Sequence, residues 1–201
     1  MVKEKLITKE EAILSIYIEK IEKLLSPIID PKNKNEILTR GLPASLGVVS
    51  GVVVFDFESL TKFKNKNKKT ILVLKETNAN DIKAMHASSG ILTTQGGMTS
   101  HAAVVARGLG KTCVTGARDI KIDIDNKRLH CGGKFITEEE IITINGENGE
   151  VYIGETPTII PNLPVSLSEI ISWCNEINKN EVKNVLSFLK ETKEIINLKN
   201  N

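Results

Sequence analysis

Dense runs of β-branched residues, short turns between them and only a few helical stretches predict a mixed α/β (α+β) domain flanked by helical segments. Residues 48–55 (VVSGVVVF) and 70–74 (TILVL) are strands by composition. Further short strand signals follow at residues 91–93, 112–114, 121–124, 129–131, 141–144 and 151–153. Helical spacing is confined to the two ends and to two short stretches in the middle.

Taken in order, Thr8-Lys9-Glu10-Glu11 reads as a capping box. Ile13, Ile16, Tyr17, Ile21 and Leu24 follow at helical spacing, and this helix ends before Pro27. Asp30-Pro31-Lys32-Asn33 is a turn, and from residue 40 onward the pattern becomes β-rich. A helix over 79–87 leads into the strand at 91–93, and a second helix covers 100–107. Asn145-Gly146-Glu147-Asn148-Gly149 is a strong turn signal between two strands. Pro157, Pro161 and Pro164 mark an exit linker, Ser166 begins a helical region, and residues 178–201 read as lysine- and asparagine-rich helix. The division is therefore an N-terminal linker helix region over 1–39, a central domain over 40–156, and a C-terminal linker and tail over 157–201.

Composition excludes several classes of function. Lys+Arg 27 against Asp+Glu 25 leaves a net charge of +2, too small to argue for nucleic acid or membrane as partner. Lys62, Lys64, Lys66, Lys68 and Lys69 are the densest basic cluster, but only Phe63 is interleaved, so they read as a solvated loop between strands. Apolar runs fall far short of the roughly 20 residues a membrane span needs, and no signal-peptide pattern opens the chain. Cys113, Cys131 and Cys174 are odd in number and lack CxxC spacing, which reads as reduced thiols in the cytoplasm. His130 beside Cys131 has no second pair to complete a metal site, and His86 beside Met85 reads as a packing or surface residue. Cys113 is expected to be buried rather than reactive.

The chemistry concentrates in Gly96-Gly97-Met98-Thr99-Ser100-His101-Ala102-Ala103-Val104-Val105-Ala106-Arg107-Gly108. Thr99 or Ser100 can cap a helix that places His101 at its opening. Unsatisfied N–H groups and partial positive charge at a helix start favour an anion, phosphate above all. Gly96 and Gly97 remove side-chain bulk where a phosphorylated group needs the backbone close. Neutral imidazole is a good nucleophile near pH 7, since its unperturbed pKa is about 6.5. His101 is thus placed to take up a phosphoryl group, hold it as a phosphoramidate and pass it on. The hydroxyls of Thr99 and Ser100 and the guanidinium of Arg107 are the candidate donors around it. Ser100-His101 is a poor hydrolase dyad, because helix neighbours point about 100° apart and no G-x-S-x-G elbow is present.

At these residues the chain resembles the pyruvate, phosphate dikinase family, which stands with phosphoenolpyruvate synthase and enzyme I of the sugar phosphotransferase system. The likeness covers GILTTQGGMTSHAAVVARGLGKTCVTG and extends to VKEKLITKEEAIL, GLPASLGVVSGVVVFD, ILVLKETNANDIKAMHASSGILT and ITINGENGEVYIGETPTI, in family order. It spans residues 1–175, and departs at Gln95, where the family usually shows arginine, and in the tail after Cys174. The resemblance implies a swivelling β/β/α phosphohistidine domain flanked by linker helices. His101 would be the phosphoryl carrier, with Gly96, Gly97, Thr99, Ser100 and Arg107 at the phosphate. Thr99 matches a threonine that a regulatory kinase modifies in some members.

Family members are several times longer. They carry an ATP-grasp nucleotide-binding domain before this region and a phosphoenolpyruvate/pyruvate barrel domain after it. At 201 residues the chain has room for neither, and both are expected as partners in a longer chain or in trans. The family needs magnesium (Mg2+), whose ligands would lie in those other domains. The expected function is a phosphohistidine carrier between an ATP/phosphate site and a pyruvate/phosphoenolpyruvate site. Full turnover by this chain alone is not expected. The alternatives are a stand-alone regulatory phospho-acceptor module and a non-catalytic remnant of a split gene.

Overall fold

The computed structural model describes residues 2, 4, 6–14, 26–161, 169, 170, 172, 173 and 176. The chain divides into two compact units, one formed by residues 27–159 and the other by residues 1–26 with 160–201. In the latter, α1 (Lys9–Leu14) opens on the expected capping box. The Thr8 amide donates to Glu11 Oε2 at 2.8 Å, and the Glu11 amide donates to Thr8 Oγ1 at 3.1 Å. Those bonds from the Thr8 backbone and hydroxyl hold the Glu11 carboxyl below its usual value. Lys9 pairs with Glu176 at 2.5 Å. The expected continuation of this helix to Leu24, Cys174, Pro164, the start of the C-terminal helical region at Ser166 and the helix over 178–201 lie outside the described residues.

The unit of residues 27–159 begins with β1 (Ile28–Ile29), β2 (Ile37–Arg40), β3 (Leu42–Ser45) and β4 (Val48–Val54). Next come α2 (Phe57–Lys64), β5 (Thr70–Leu74), a 3-10 turn over Ala79–Asp81, α3 (Ile82–Ala87) and β6 (Gly90–Thr93). Then follow α4 (His101–Gly108), β7 (Thr112–Thr115), β8 (Lys121–Asp123), β9 (Arg128–Cys131) and β10 (Lys134–Thr137). The last strands are β11 (Ile141–Asn145), β12 (Glu150–Ile153) and β13 (Thr158–Ile159).

The main sheet has eight strands in the order β2-β12-β11-β4-β5-β6-β7-β3. Its centre, β4 to β7, is parallel, and its outer strands are antiparallel. Each parallel step is bridged by one helix, and the strand order advances in one direction. With crossovers of one hand, all three helices then fall on the same face of the sheet. The packing agrees: Leu60 and Phe63 of α2, Met85 of α3, and Ala103 and Ala106 of α4 share one apolar cluster with Val54, Leu72, Ile91 and Cys113. Alternate strand residues (Val53, Ile71, Val73, Leu92, Val114) point the other way. There they meet Leu129, Cys131 and Ile136 of a second sheet, ordered β10-β9-β8. The result is three layers, β/β/α, as the sequence and its resemblance lead one to expect.

One expectation is corrected. The lysines at 62–69 do not form a loop throughout, because α2 covers Phe57–Lys64. Asp56 caps it by accepting the Ser59 amide at 2.7 Å, and Leu60 and Phe63, three apart, are buried. A helix this short needs only one such pair, which the surrounding Lys/Asn repeat hides. The pairing of β1 with β13, antiparallel through Ile28–Ile159 and Ile29–Thr158, falls in segments the sequence assigns to linkers.

Candidate functional site

The parallel centre of the sheet positions the site. Strand β6 ends at Thr93, residues 94–100 form the connection, and α4 begins at His101. A connection at the carboxyl end of a parallel strand is where open α/β sheets commonly bind ligands. Ser100 is the N-cap, with extended backbone and a hydroxyl accepting the Ala103 amide at 3.3 Å. Ala102, Ala103 and Ala106 are buried, so this small-residue face fixes the helix on the sheet and leaves His101 exposed.

The carbonyls of the connection are held by the protein. Thr93, fully buried, donates its hydroxyl to the Gln95 carbonyl at 2.7 Å. The Gly97 carbonyl accepts the Ser100 amide at 3.0 Å and the hydroxyl of buried Thr115 at 3.4 Å. Arg107 donates Nη2 to the Met98 carbonyl and Nη1 to the Ala44 carbonyl of β3, both at 3.0 Å. The amides behave differently. Gln95 donates to Lys75 O at 2.9 Å, whereas the amides of Gly96, Gly97, Met98, Thr99, His101 and Ala102 have no acceptor among the described residues. A segment with the Gln95, Gly97 and Met98 carbonyls occupied and six amides free can receive an oxyanion.

Gly96 has φ +98, a left-handed conformation, and a Cβ there would stand 2.9 Å from Ser100 Cβ. Gly116 is equally constrained: its φ is +66, and a Cβ would sit 2.8 Å from the Gly96 carbonyl. The turn after β7 therefore passes close beneath the connection. At Gly97 an added Cβ would meet nothing, so the space beside it is open. The Thr99 hydroxyl has no partner among the described residues and is exposed. Under α4, burial pushes the Cys113 thiol up to about 12 and the Arg107 charge opposes this only in part. A thiol in that state is a packing group.

Of the residues singled out from sequence, Gly96, Gly97, Thr99, Ser100 and His101 lie on this one connection. The Arg107 guanidinium reaches the same segment but binds its carbonyl side. His86 is exposed on α3, and His130 packs its ring on Phe135 at 4.8 Å on the second sheet, so neither belongs to the site. Thr93 and Thr115 were not singled out, since in sequence they are ordinary strand threonines. Among the described residues no three His, Cys, Asp or Glu side chains come together in a way that could hold a metal ion. No helix of the described residues is long and apolar enough to cross a membrane.

Residues 66–149 match the family described as PEP-utilising enzyme, mobile domain. Over 183 residues it is 42% identical to a pyruvate, phosphate dikinase of Rhizobium meliloti and 44% identical to one of Rickettsia typhi, covering 91% of this chain in each case. Pyruvate, phosphate dikinase 2 of Zea mays is 40% identical over 184 residues, covering 90% of this chain. The chain spans only 20–21% of the length of these relatives. The solved N-terminal domain of Enzyme 1 - Nitrogen aligns over 65% of this chain and 97% of that one at 14% identity, with a TM-score of 0.41, a likeness too loose to argue from.

Proposed function

We propose that this chain is the phosphohistidine carrier of a pyruvate, phosphate dikinase-like phosphotransferase, with His101 as nucleophile and carrier. The observation that carries this reading is the row of free amides at residues 96–99, 101 and 102, which ends on an exposed histidine at a capped helix start. Relatives named as pyruvate, phosphate dikinases support the class of reaction. Residues 40–156 act as the carrier domain, and 1–39 and 157–201 as its linkers.

A ring nitrogen of His101 attacks phosphorus with its lone pair. The P–O bond to the donor breaks, its electron pair leaves on the donor oxygen, and a P–N bond remains. The equatorial oxygens of the transferring group gather charge in the transition state, and the free amides are donors fixed in advance to meet it. In the second half an oxygen of the acceptor, the enolate of pyruvate, attacks phosphorus and the P–N bond breaks. Donor and acceptor sites belong to an ATP-grasp domain and a phosphoenolpyruvate/pyruvate barrel, in a longer chain or in trans. Magnesium, if held by those domains, would neutralise charge on the phosphates. Thr99, exposed two residues before His101, is the position a regulatory kinase would modify.

The test is phosphorylation of the purified chain by labelled phosphoenolpyruvate and magnesium, with a separately expressed dikinase barrel domain. Acid-labile, alkali-stable label is expected, and His101→Asn should abolish it while leaving the circular dichroism spectrum unchanged. A folded chain that takes up no label, with an intact dikinase central domain labelled in parallel, refutes the proposal.

A further inference from the structure

A cleft of ≈ 660 Å³ borders the same connection at Thr94, Gln95 and Gly96, at the carboxyl ends of β5, β6 and β7. Lys75, directly after β5, and Arg118 and Lys121, after β7, line it. Gln95 and Gly96 form its lip, and Ile120 and Ile122 supply an apolar surface. No acidic residue lines it. Of the nearby carboxylates, Asp119 accepts from Thr39 at 3.0 Å and Asp123 from Arg128 at 2.9 Å, and Glu76, next to Lys75, is exposed and does not line the cleft. Lys75, Arg118 and Lys121 have no ion-pair partner among the described residues.

We propose that this cleft is a second anion site, which takes a phosphate group of a small molecule beside the one handled at His101. The reasoning joins three separate features. Three cationic residues line a concavity whose size lies within the roughly 300–1,000 Å³ of small-molecule sites. That concavity sits outside the carboxyl ends of adjacent parallel strands, where the loops of an open α/β sheet gather ligands. Its lip is the Gln95–Gly96 step, and the Gly96 amide has no acceptor. Position 95, uncharged here, thus borders the same cleft as three cationic residues from other points of the chain. A flat acidic protein surface would not fill such a hollow, whereas a phosphate tail would. The role in transfer rests on the carrier reading of His101: the cleft would hold a neighbouring phosphate while His101 reacts.

The test is titration of the full chain with inorganic pyrophosphate, followed by calorimetry and phosphorus NMR, with no transfer chemistry involved. Saturable binding is expected, equally in wild type and in His101→Asn. The combined variant K75Q/R118Q/K121Q should bind at least about tenfold more weakly, the loss of one or more charge-assisted contacts. K64Q/K66Q/K68Q removes the same charge elsewhere and should change affinity less than about twofold, as screened distant charges do. Gln95→Arg should tighten binding. ADP binding more tightly than pyrophosphate would assign the cleft to a nucleotide tail resting on Ile120 and Ile122, and equal affinity would assign it to free inorganic phosphates. Equal weakening by both triple variants, or no saturable pyrophosphate binding by the wild type, overturns the proposal. Failure of the carrier reading looks different: no label on His101, with pyrophosphate binding retained.

Discussion

Two glycine-bearing connections in this domain use the same residue types to opposite ends. The turn at residues 145–149 joins β11 to β12, and three of its amides are engaged. The Gly146 amide donates to Gly47 O, Glu147 to Asn145 Oδ1, and Gly149 to Asn145 O. Its glycines are packed against backbone: a Cβ at Gly146 would lie 1.8 Å from Ser45 O, and one at Gly149 2.1 Å from Gly41 O. In the connection over 94–100 the carbonyls of Gln95, Gly97 and Met98 are engaged instead, the amides of residues 96–99 are free, and Gly97 borders open space. Glycine at the first site is required by close packing, whereas at Gly97 no packing requires it.

The largest effect expected from this contrast is on stability. Gly146→Ala should cost at least about 3 kcal/mol, by overpacking against immovable backbone, as read by urea denaturation. Gly97→Ala should leave stability unchanged or raise it by up to about 1 kcal/mol, since the unfolded chain loses freedom and nothing clashes. It should nevertheless lower the rate of phosphoryl uptake. Equal destabilisation by the two substitutions would erase the distinction.

A smaller effect is expected at Arg107. Replacing it with alanine frees the Met98 and Ala44 carbonyls and should cost about 1–2 kcal/mol. Exchange of the amides at 96–99 should quicken. The phosphorylation rate should fall about tenfold, the equivalent of about 1.4 kcal/mol of lost transition-state stabilisation, with KM for phosphoenolpyruvate unmoved. Arg107→Lys should restore part of the rate. A rise in KM with an unchanged rate would instead make Arg107 a contact to the incoming group.

Acid should act on the β11–β12 turn and its flank. Burial pushes Glu150 up, but hydrogen bonds from Tyr152, Arg40 and Asn148 outweigh it and hold the carboxyl below its ordinary value. A carboxylate lowered on folding contributes stability above its unfolded pKa, and that stability is lost as pH falls through the folded value. Tyr152→Phe should therefore reduce stability at neutral pH and flatten its decline below about pH 4.3. An unchanged acid limb would show that the bond at 2.5 Å carries no linkage. Least of all should thiol reagents matter. Cys113 and Cys131 are buried, and Cys113 is pushed up to about 12, so both should label only on unfolding.

Much of this architecture is legible in the residues, and the reasons differ from place to place. The helix expected over 100–107 is α4 at His101–Gly108, because a capping serine followed by three small residues is a purely local signal. Strands β4 and β5 are equally local, as their buried runs alternate between two apolar layers. Strand β3 contains Pro43 and lies at the sheet edge, where proline is tolerated, so composition gives little warning of it. Strand β10 hides because it places Phe135 outward and buries only Ile136. At the site, His101 and its glycines announce themselves. Thr93, Thr115, Lys75 and Arg118 do not, since their roles depend on which strands lie side by side.

The pairing of Ile28–Ile29 with Thr158–Ile159 has one more consequence. The polypeptide arrives at this domain and departs from it at neighbouring points, so the intervening residues form a closed cassette. Such a cassette can be spliced into a surface loop of an unrelated host with little loop-closure entropy to overcome, because its ends are already together. Portability of that kind is a property of the outermost residue pairs alone, independent of the chemistry at His101.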